Sequence, residues 1–384
     1  MRFEEIYKQF RSKVLSCEEA ALVLGMSVRT FLRKRERYEE EGFDGVFDRR
    51  LGRRSNNRSE DAEVEFLTGM YERYRGFSVK HFYDFYKLHP EARRSYNWCR
   101  LKLLEAGMIE ETTRGGKHRM RREHQPMSGM MLHQDGSTHE WIPGLGHCVD
   151  LIVTLDDATC VITSAFFVEQ EGTHSSLRGI KETIERYGLF CSLYTDRGSH
   201  YWWTPEAGGK VSKHQLTQVG QALRHLGIRH IAAYSPQARG RSERMFGTLQ
   251  NRLPKELALY GITTLEEANR YLQEVYLPAH NKAFSKPPQL TKSAYVPWAN
   301  KESLNEILCL KNERLVQNDN SVRYESRALQ IPPQETRHHY VKVDVEVREY
   351  LDATLAIFFG HLCLGRYDQA GNLLAISPSD RQVA

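Results

Sequence analysis

Three short apolar stretches between Met130 and Val168 constrain this chain more than anything else in it. They lie around Leu132, over Val149 to Leu155 and over Cys160 to Val168, and only the Pro143 to Gly146 segment and the Asp156-Asp157 pair interrupt them. Short apolar runs separated by turn residues fit three antiparallel strands. Asp156 and Asp157 suit such a turn. Neither is a candidate ligand, and Asp157→Asn is expected to leave any chemistry largely intact. Downstream the period changes. Leu177, Ile180 and Ile184 mark a helix over Ser175 to Tyr187, 190–195 reads as a strand, and Leu216, Val219, Leu223 and Leu226 mark a helix over Gln215 to Leu226. Ile228 to Ala233 is a short strand. Met245, Phe246, Leu249 and Leu253 then recur at helical spacing. Three strands followed by alternating helices and strands predict a mixed sheet covered by helices.

Three carboxylates fall at informative places in that order. Asp135 sits in the first strand segment, Asp196 ends the run Cys191 to Thr195, and Glu243 stands in the first turn of the helix after the Ser235 to Gly240 loop. A first-turn Glu is by itself only a favourable charge at a helix N-terminus. Together the three make a hard oxygen-donor set suited to Mg²⁺ or Mn²⁺, and two such ions can activate an attacking oxygen and stabilise a leaving one at a phosphodiester.

Thr-Asp-Arg-Gly-Ser-His at 195–200 and Gln-Ala-Arg-Gly-Arg-Ser-Glu-Arg at 237–244, with Asp135 upstream, resemble the DDE transposases of the ISNCY type, whose core is similar to retroviral integrase. The resemblance covers most of the chain, and the block around Glu243 is its specific part. It implies an RNase H-like core with the first and fourth strand ends side by side, and Asp135, Asp196 and Glu243 as catalytic metal ligands for two Mg²⁺ or Mn²⁺ ions. It further implies transposon-end DNA and target DNA as partners, with a homo-oligomer formed on DNA. Two departures stand out: Arg197 where integrase-like sequences commonly carry Asn, and a longer interval between Asp196 and Glu243, accommodated around Tyr201 to Lys213.

The rest of the chain fits a multidomain α/β protein. The first 130 residues carry 27 Lys and Arg against 21 Asp and Glu, leaving 27 against 28 for the remainder, so the positive charge is at the front. That asymmetry fits a phosphate-binding N-terminal region. Residues 1–48 read as a helix-turn-helix domain: Ser16-x-x-Glu19 is a capping box, Gly25 allows a tight turn and Ser27 caps a second helix. On that helix Arg29, Thr30, Arg33 and Lys34 are DNA-binding candidates. A basic linker at 49–58 adds Arg53 and Arg54. Residues 59–110 form a second helix-turn-helix or winged-helix module, closed by a helix from Ser95 to Gly107, and 111–128 is another basic linker. The core covers 129–290, with Arg241 and Arg244 as possible phosphate contacts. A helix through Leu265, Ala268, Leu272, Val275 and Tyr276 is expected to end at Pro278. Within a tail at 310–384, alternating Val341, Val343, Val345 and Val347 give a β pattern that reads as a small SH3-like β-barrel.

Seven scattered cysteines without a Cys-x-x-Cys pair argue against a disulfide framework or zinc module. No apolar run is long enough to span a bilayer. The expected setting is therefore reducing and cytoplasmic, with no membrane partner, and the resemblance implies a bacterial protein that is nucleoid-associated when DNA is bound. Two rival functions share parts of this pattern: an RNase H-like nuclease that cuts without joining, and a transposase-derived regulator that only binds.

Overall fold

The computed structural model describes residues 2–48, 59–111, 123–205, 210–212, 214–234, 240–299, 303–333 and 337–374. It divides into two compact units, Met1–Arg73 with Arg94–Glu110, and Tyr74–Arg93 with Glu111–Ala384.

In the first unit, helix α1 (Arg2–Arg11) precedes α2 (Cys17–Val23) and α3 (Val28–Glu41). Ser16 accepts from the Glu19 amide while Glu19 reaches back to the Ser16 amide, the reciprocal cap expected from the sequence. Ser27 caps α3 through the Thr30 amide, and Gly25 takes φ +65° in the turn between them. Phe3, Tyr7, Ala20, Ala21 and Phe31 form the core, so α3 buries one face and leaves Arg29 and Arg33 exposed. Helices α4 (Asp61–Arg73) and α6 (Tyr96–Glu105) pack together, with the Arg94 guanidinium on Glu63. Between them in sequence, α5 (Val79–Tyr86) belongs to the second unit.

The second unit is built on a five-stranded sheet. Strands β1 (Leu132–His139), β2 (Val149–Asp156), β3 (Ile162–Val168), β4 (Ser192–Thr195) and β5 (Arg229–Ala232) lie in the order β3-β2-β1-β4-β5. The β1–β2 and β2–β3 pairs are antiparallel, and β4 runs parallel to both β1 and β5. The first and fourth strands are thus neighbours, as an RNase H-like core requires. Helices α7 (Thr173–Tyr187) and α8 (Gln218–His225) share a core with Leu132 and Leu193, while α9 (Gly240–Leu259) shares another with Leu151, Val153 and Leu155. Helix α8 starts at Gln218 because Thr217 takes the capping position.

Pro278 does not end the next helix. After α10 (Leu265–Tyr271) the backbone widens into a π-helical turn over Leu272–Tyr276 and continues as α11 (Leu277–Phe284), with Pro278 in its first turn. A proline there lacks only an amide that an α-helix start leaves unbonded. Val275, counted above with the apolar stripe, is half exposed.

Helix α12 (Leu304–Ile307) leads to β6 (Leu310–Leu315), the hairpin β7 (Ser321–Tyr324) and β8 (Arg327–Gln330), then β9 (Asp344–Glu349), β10 (Leu355–Phe359) and β11 (Leu362–Tyr367). These make a four-stranded sheet, β11-β10-β9-β6, and a separate two-stranded one. Among the described residues they do not close into the expected barrel. The physical reason is pairing: the hairpin contributes Val322, Tyr324 and Leu329 to a core shared with Val345, Val347 and Ile357, but it forms no ladder with the larger sheet. No described helix is long and apolar enough to cross a membrane.

Candidate active site

Strand register sets the site. The parallel pairs Leu132↔Leu193 and His133↔Tyr194, continued two residues along both chains, bring Asp135 abreast of Asp196 just beyond the end of β4. Alternation fixes the side. Asp135 is paired with Val153 and His133 with Leu155, two residues of the core that α9 covers, so both point to the α9 face. Tyr194 shares that face, its ring 5.1 Å from His133, and Asp196 has the same parity. Asp135 is buried at 8% exposure and Asp196 is half-buried.

The opposite face of β1 carries a buried polar network. Tyr201 Oη donates to Gln134 Oε1 at 3.0 Å, and Gln134 Nε2 donates to Thr154 Oγ1 and to the Ser176 carbonyl, both at 3.1 Å. Burial holds the Tyr201 phenol well above its ordinary value, and the negative charges of Glu171, Asp135 and Asp196 add to the effect. Gly136 lets Glu171 approach β1 closely: a Cβ there would lie 2.3 Å from Glu171 Oε2. His200 Nε2 lies 3.3 Å from Glu171 Oε1. His200 closes the Thr-Asp-Arg-Gly-Ser-His block at 195–200, but Glu171 carries no recognisable motif, and the Glu169-Gln170-Glu171 run after the third strand was its one available signal.

Asp196 is oriented by its own turn, its Oδ1 accepting from the Gly198 amide at 2.9 Å. The preceding Thr195 Oγ1 accepts from Trp202 Nε1 at 3.0 Å and contacts His230 Nε2 at 3.0 Å, with His230 stacked on Trp202 at 3.9 Å. Burial lowers the His230 pKa to about 3, so its ring stays neutral at physiological pH. The strand end beneath Asp196 is consequently held by a neutral, well-packed cluster.

Glu243 lies exposed in the first turn of α9, on the helix that covers the Asp135 face. Two residues before it, Arg241 turns inward to Asp157 and to the Glu123 carbonyl. That internal ion pair replaces the phosphate contact expected of Arg241; Arg244 is exposed. Among the described residues, no three His, Cys, Asp or Glu side chains are gathered closely enough to hold a metal ion. The structure thus brings Asp135 and Asp196 together and leaves Glu243 outside their immediate group. Asp135 and Asp196, at neighbouring parallel strand ends, nonetheless offer oxygen donors of the kind Mg²⁺ takes, often only one or two from the protein. In the first unit, Arg29 and Arg33 are exposed, Lys34 is half-buried, and Thr30 Oγ1 contacts Ser27 Oγ at 2.8 Å. Arg53 and Arg54 lie outside the described residues.

Residues 7–65 match the family described as "Winged helix-turn helix". Over 345 residues the chain is 28% identical to a Sinorhizobium fredii protein named "Putative transposase y4bF", covering 88% of this chain and 74% of that relative. It is 29% identical over 248 residues to the transposase for insertion sequence IS1202 of Streptococcus pneumoniae, covering 65% of this chain and 51% of that one. Among solved structures it is similar to the HTLV-2 integrase catalytic core domain in complex with magnesium, at 18% identity and a TM-score of 0.29 over 39% of this chain and 89% of that one. A simian T-cell lymphotropic virus intasome in complex with a PP2A regulatory subunit matches at 15% identity and a TM-score of 0.35, over 68% of this chain and 91% of that one. The chain is similar to these two transposases over most of its length.

Proposed function

We propose that this protein is a DNA transposase that binds the ends of a mobile element, cuts a strand there and joins the 3′ hydroxyl to target DNA. The observation that carries the reading is the placement of Asp135 and Asp196 abreast at neighbouring parallel strand ends, on the face covered by the helix that bears Glu243. The similarity to transposases supports it. Asp135 and Asp196 would hold Mg²⁺ or Mn²⁺, with Glu243, on the helix that covers their face, as the third ligand. The bound ions supply Lewis-acid polarisation of the phosphodiester and of the attacking oxygen. The chain itself fixes the two aspartates through strand register and the Gly198 turn, and keeps bulk water from the inner side of β1 with the Tyr201–Gln134 network. Arg244, exposed beside Glu243, is the phosphate contact nearest the chemistry.

A metal-dependent assay on a pre-cut end oligonucleotide tests this reading. Joined product supports it; cleavage without joining identifies a nuclease, and binding without either identifies a regulator.

Helix α3 supplies the sequence reading. Its exposed Arg29 and Arg33 meet base edges, with Thr30 and Lys34 beside them, while Arg53 and Arg54 hold phosphates. Arg29→Ala is expected to weaken binding to the specific end by about 1 to 3 kcal/mol and to relax preference at one position. Arg53→Ala should weaken all sequences alike. Binding isotherms on end and scrambled DNA decide it, and equal losses on both for Arg29→Ala would remove α3 from base recognition.

A further inference from the structure

Asp157 is buried at 1% exposure, yet its hydrogen bonds do not serve the turn in which it sits. Its neighbour Asp156 does that: Asp156 Oδ1 accepts from the Thr159 amide and hydroxyl, both at 2.9 Å, and its Oδ2 from the Gly129 amide at 2.7 Å. The Asp157 carboxylate instead receives the Gln125 amide at 2.7 Å, His133 Nε2 at 2.7 Å, and the Arg241 guanidinium. His133 stands two residues before Asp135 on β1. Arg241 stands two residues before Glu243 on α9. One buried carboxylate therefore joins the strand that carries the first candidate ligand to the helix turn that carries the third.

We propose that Asp157 is a positioning residue that sets the place of Glu243 relative to Asp135. The inference rests on the transposase reading for its catalytic consequence, but the linkage itself does not. Glu243 is bracketed along α9. On its C-terminal side Met245, Phe246 and Leu249 are packed in the core, and on its N-terminal side Arg241 is held by Asp157 and by the Asp157 and Glu123 carbonyls. Apolar packing alone anchors one side of a helix and leaves its first turn, with unbonded amides, free to fray. The ion pair closes the other side. Because its partner is buried, the Arg241 guanidinium has a fixed anchor, unlike a surface pair that solvent screens. This reverses the expectation drawn from the turn pattern alone, under which Asp157 is dispensable.

The experiment uses the full chain and three variants, Asp157→Asn, Arg241→Gln and the double. Three readouts are taken: hydrogen exchange of the segment 240–246, the single-turnover joining rate at saturating pre-cut end DNA in Mg²⁺, and the dissociation constant for that DNA. The expected result is faster exchange over 240–246 with 249–257 unchanged. The joining rate should fall roughly tenfold to a hundredfold, the cost of a displaced catalytic group, with DNA affinity near wild type. The double variant should match the worse single one, since both break one link. Should Asp157→Asn fail to fold, Arg241→Gln, whose side chain lies nearer the surface, reads the same link. Wild-type exchange and joining rates in Arg241→Gln overturn the proposal, as does a rate loss accompanied by loosening throughout α9. A wild-type protein that neither cuts nor joins, while the variants still loosen 240–246, sinks the transposase reading and leaves the linkage standing.

Discussion

Asp135→Asn, Asp196→Asn and Glu243→Gln are each expected to abolish strand cleavage and joining while end binding stays close to wild type. Helix α3, proposed above to read DNA, belongs to the other compact unit, so removing a core carboxylate is expected to leave end binding intact. The loss should be at least roughly a thousandfold. Removing a ligand forfeits several kcal/mol of charge stabilisation, and each ~1.4 kcal/mol is a factor of ten in rate. Chelation of the divalent ion should have the same effect on the wild-type protein. Mn²⁺ should restore activity, and Ca²⁺ should support DNA binding without turnover, because its larger and more flexible coordination positions oxygens poorly. Radiolabelled end oligonucleotides resolved on denaturing gels, with a parallel mobility-shift titration, measure both properties. Full strand transfer by Glu243→Gln in Mg²⁺ would reduce Glu243 to a favourable charge at a helix N-terminus.

Glu243 is also where sequence and structure part company most instructively. Its helix was legible because Met245, Phe246, Leu249 and Leu253 recur at helical spacing and are all buried. The same holds for the strands β2 and β3, whose apolar runs become buried, and for the capped helices, where Ser16 and Ser27 each accept an amide of the first turn. Local rules succeed where the deciding interaction lies within a few residues. They fail where it is distant. Arg241 looks like a phosphate contact in sequence because nothing local shows that Asp157, 84 residues earlier, takes it. Glu171 reaches Gly136 and His200 only after three strands have folded. The alternation that announces the tail strands says nothing about whether the sheet edges meet, so the barrel was inferred where separate sheets formed. Pro278 reads as a stop because the π turn that accommodates it leaves no mark on the apolar pattern.

The largest stability effect is expected at Glu306, which no motif singles out. Helix α12 buries Leu304 and Ile307 in the core that α7 and α8 share with the five-stranded sheet, and its Glu306 faces the tail. The carboxylate receives Arg348 Nη1 at 2.7 Å, Arg366 Nη2 at 3.0 Å and Tyr350 Oη at 2.9 Å, with only 5% of its side chain exposed. Arg348 also lies 3.8 Å above the Phe358 ring. Burial alone would raise the Glu306 pKa, but the hydrogen bonds from Arg348, Arg366 and Tyr350 outweigh it and hold the carboxyl below its ordinary value. A depressed folded-state value means stability that is fully present above the unfolded carboxyl value, about 4.3, and lost as pH falls through the folded one. The tail sheet should accordingly loosen in acid below about pH 4.3. At neutral pH, Glu306→Ala leaves two half-buried guanidinium groups without their shared anion and should cost about 3 to 5 kcal/mol. Replacing Glu306, Arg348 and Arg366 together by apolar residues of similar size should cost much less, because no charge is then stranded. Urea titrations with hydrogen exchange followed over β9 to β11 compare the two. A triple variant as unstable as Glu306→Ala would mean that the network holds the tail by attraction and not merely by mutual neutralisation, and a cost under about 1 kcal/mol for Glu306→Ala would mean that solvent reaches the site and screens it as it does a surface pair.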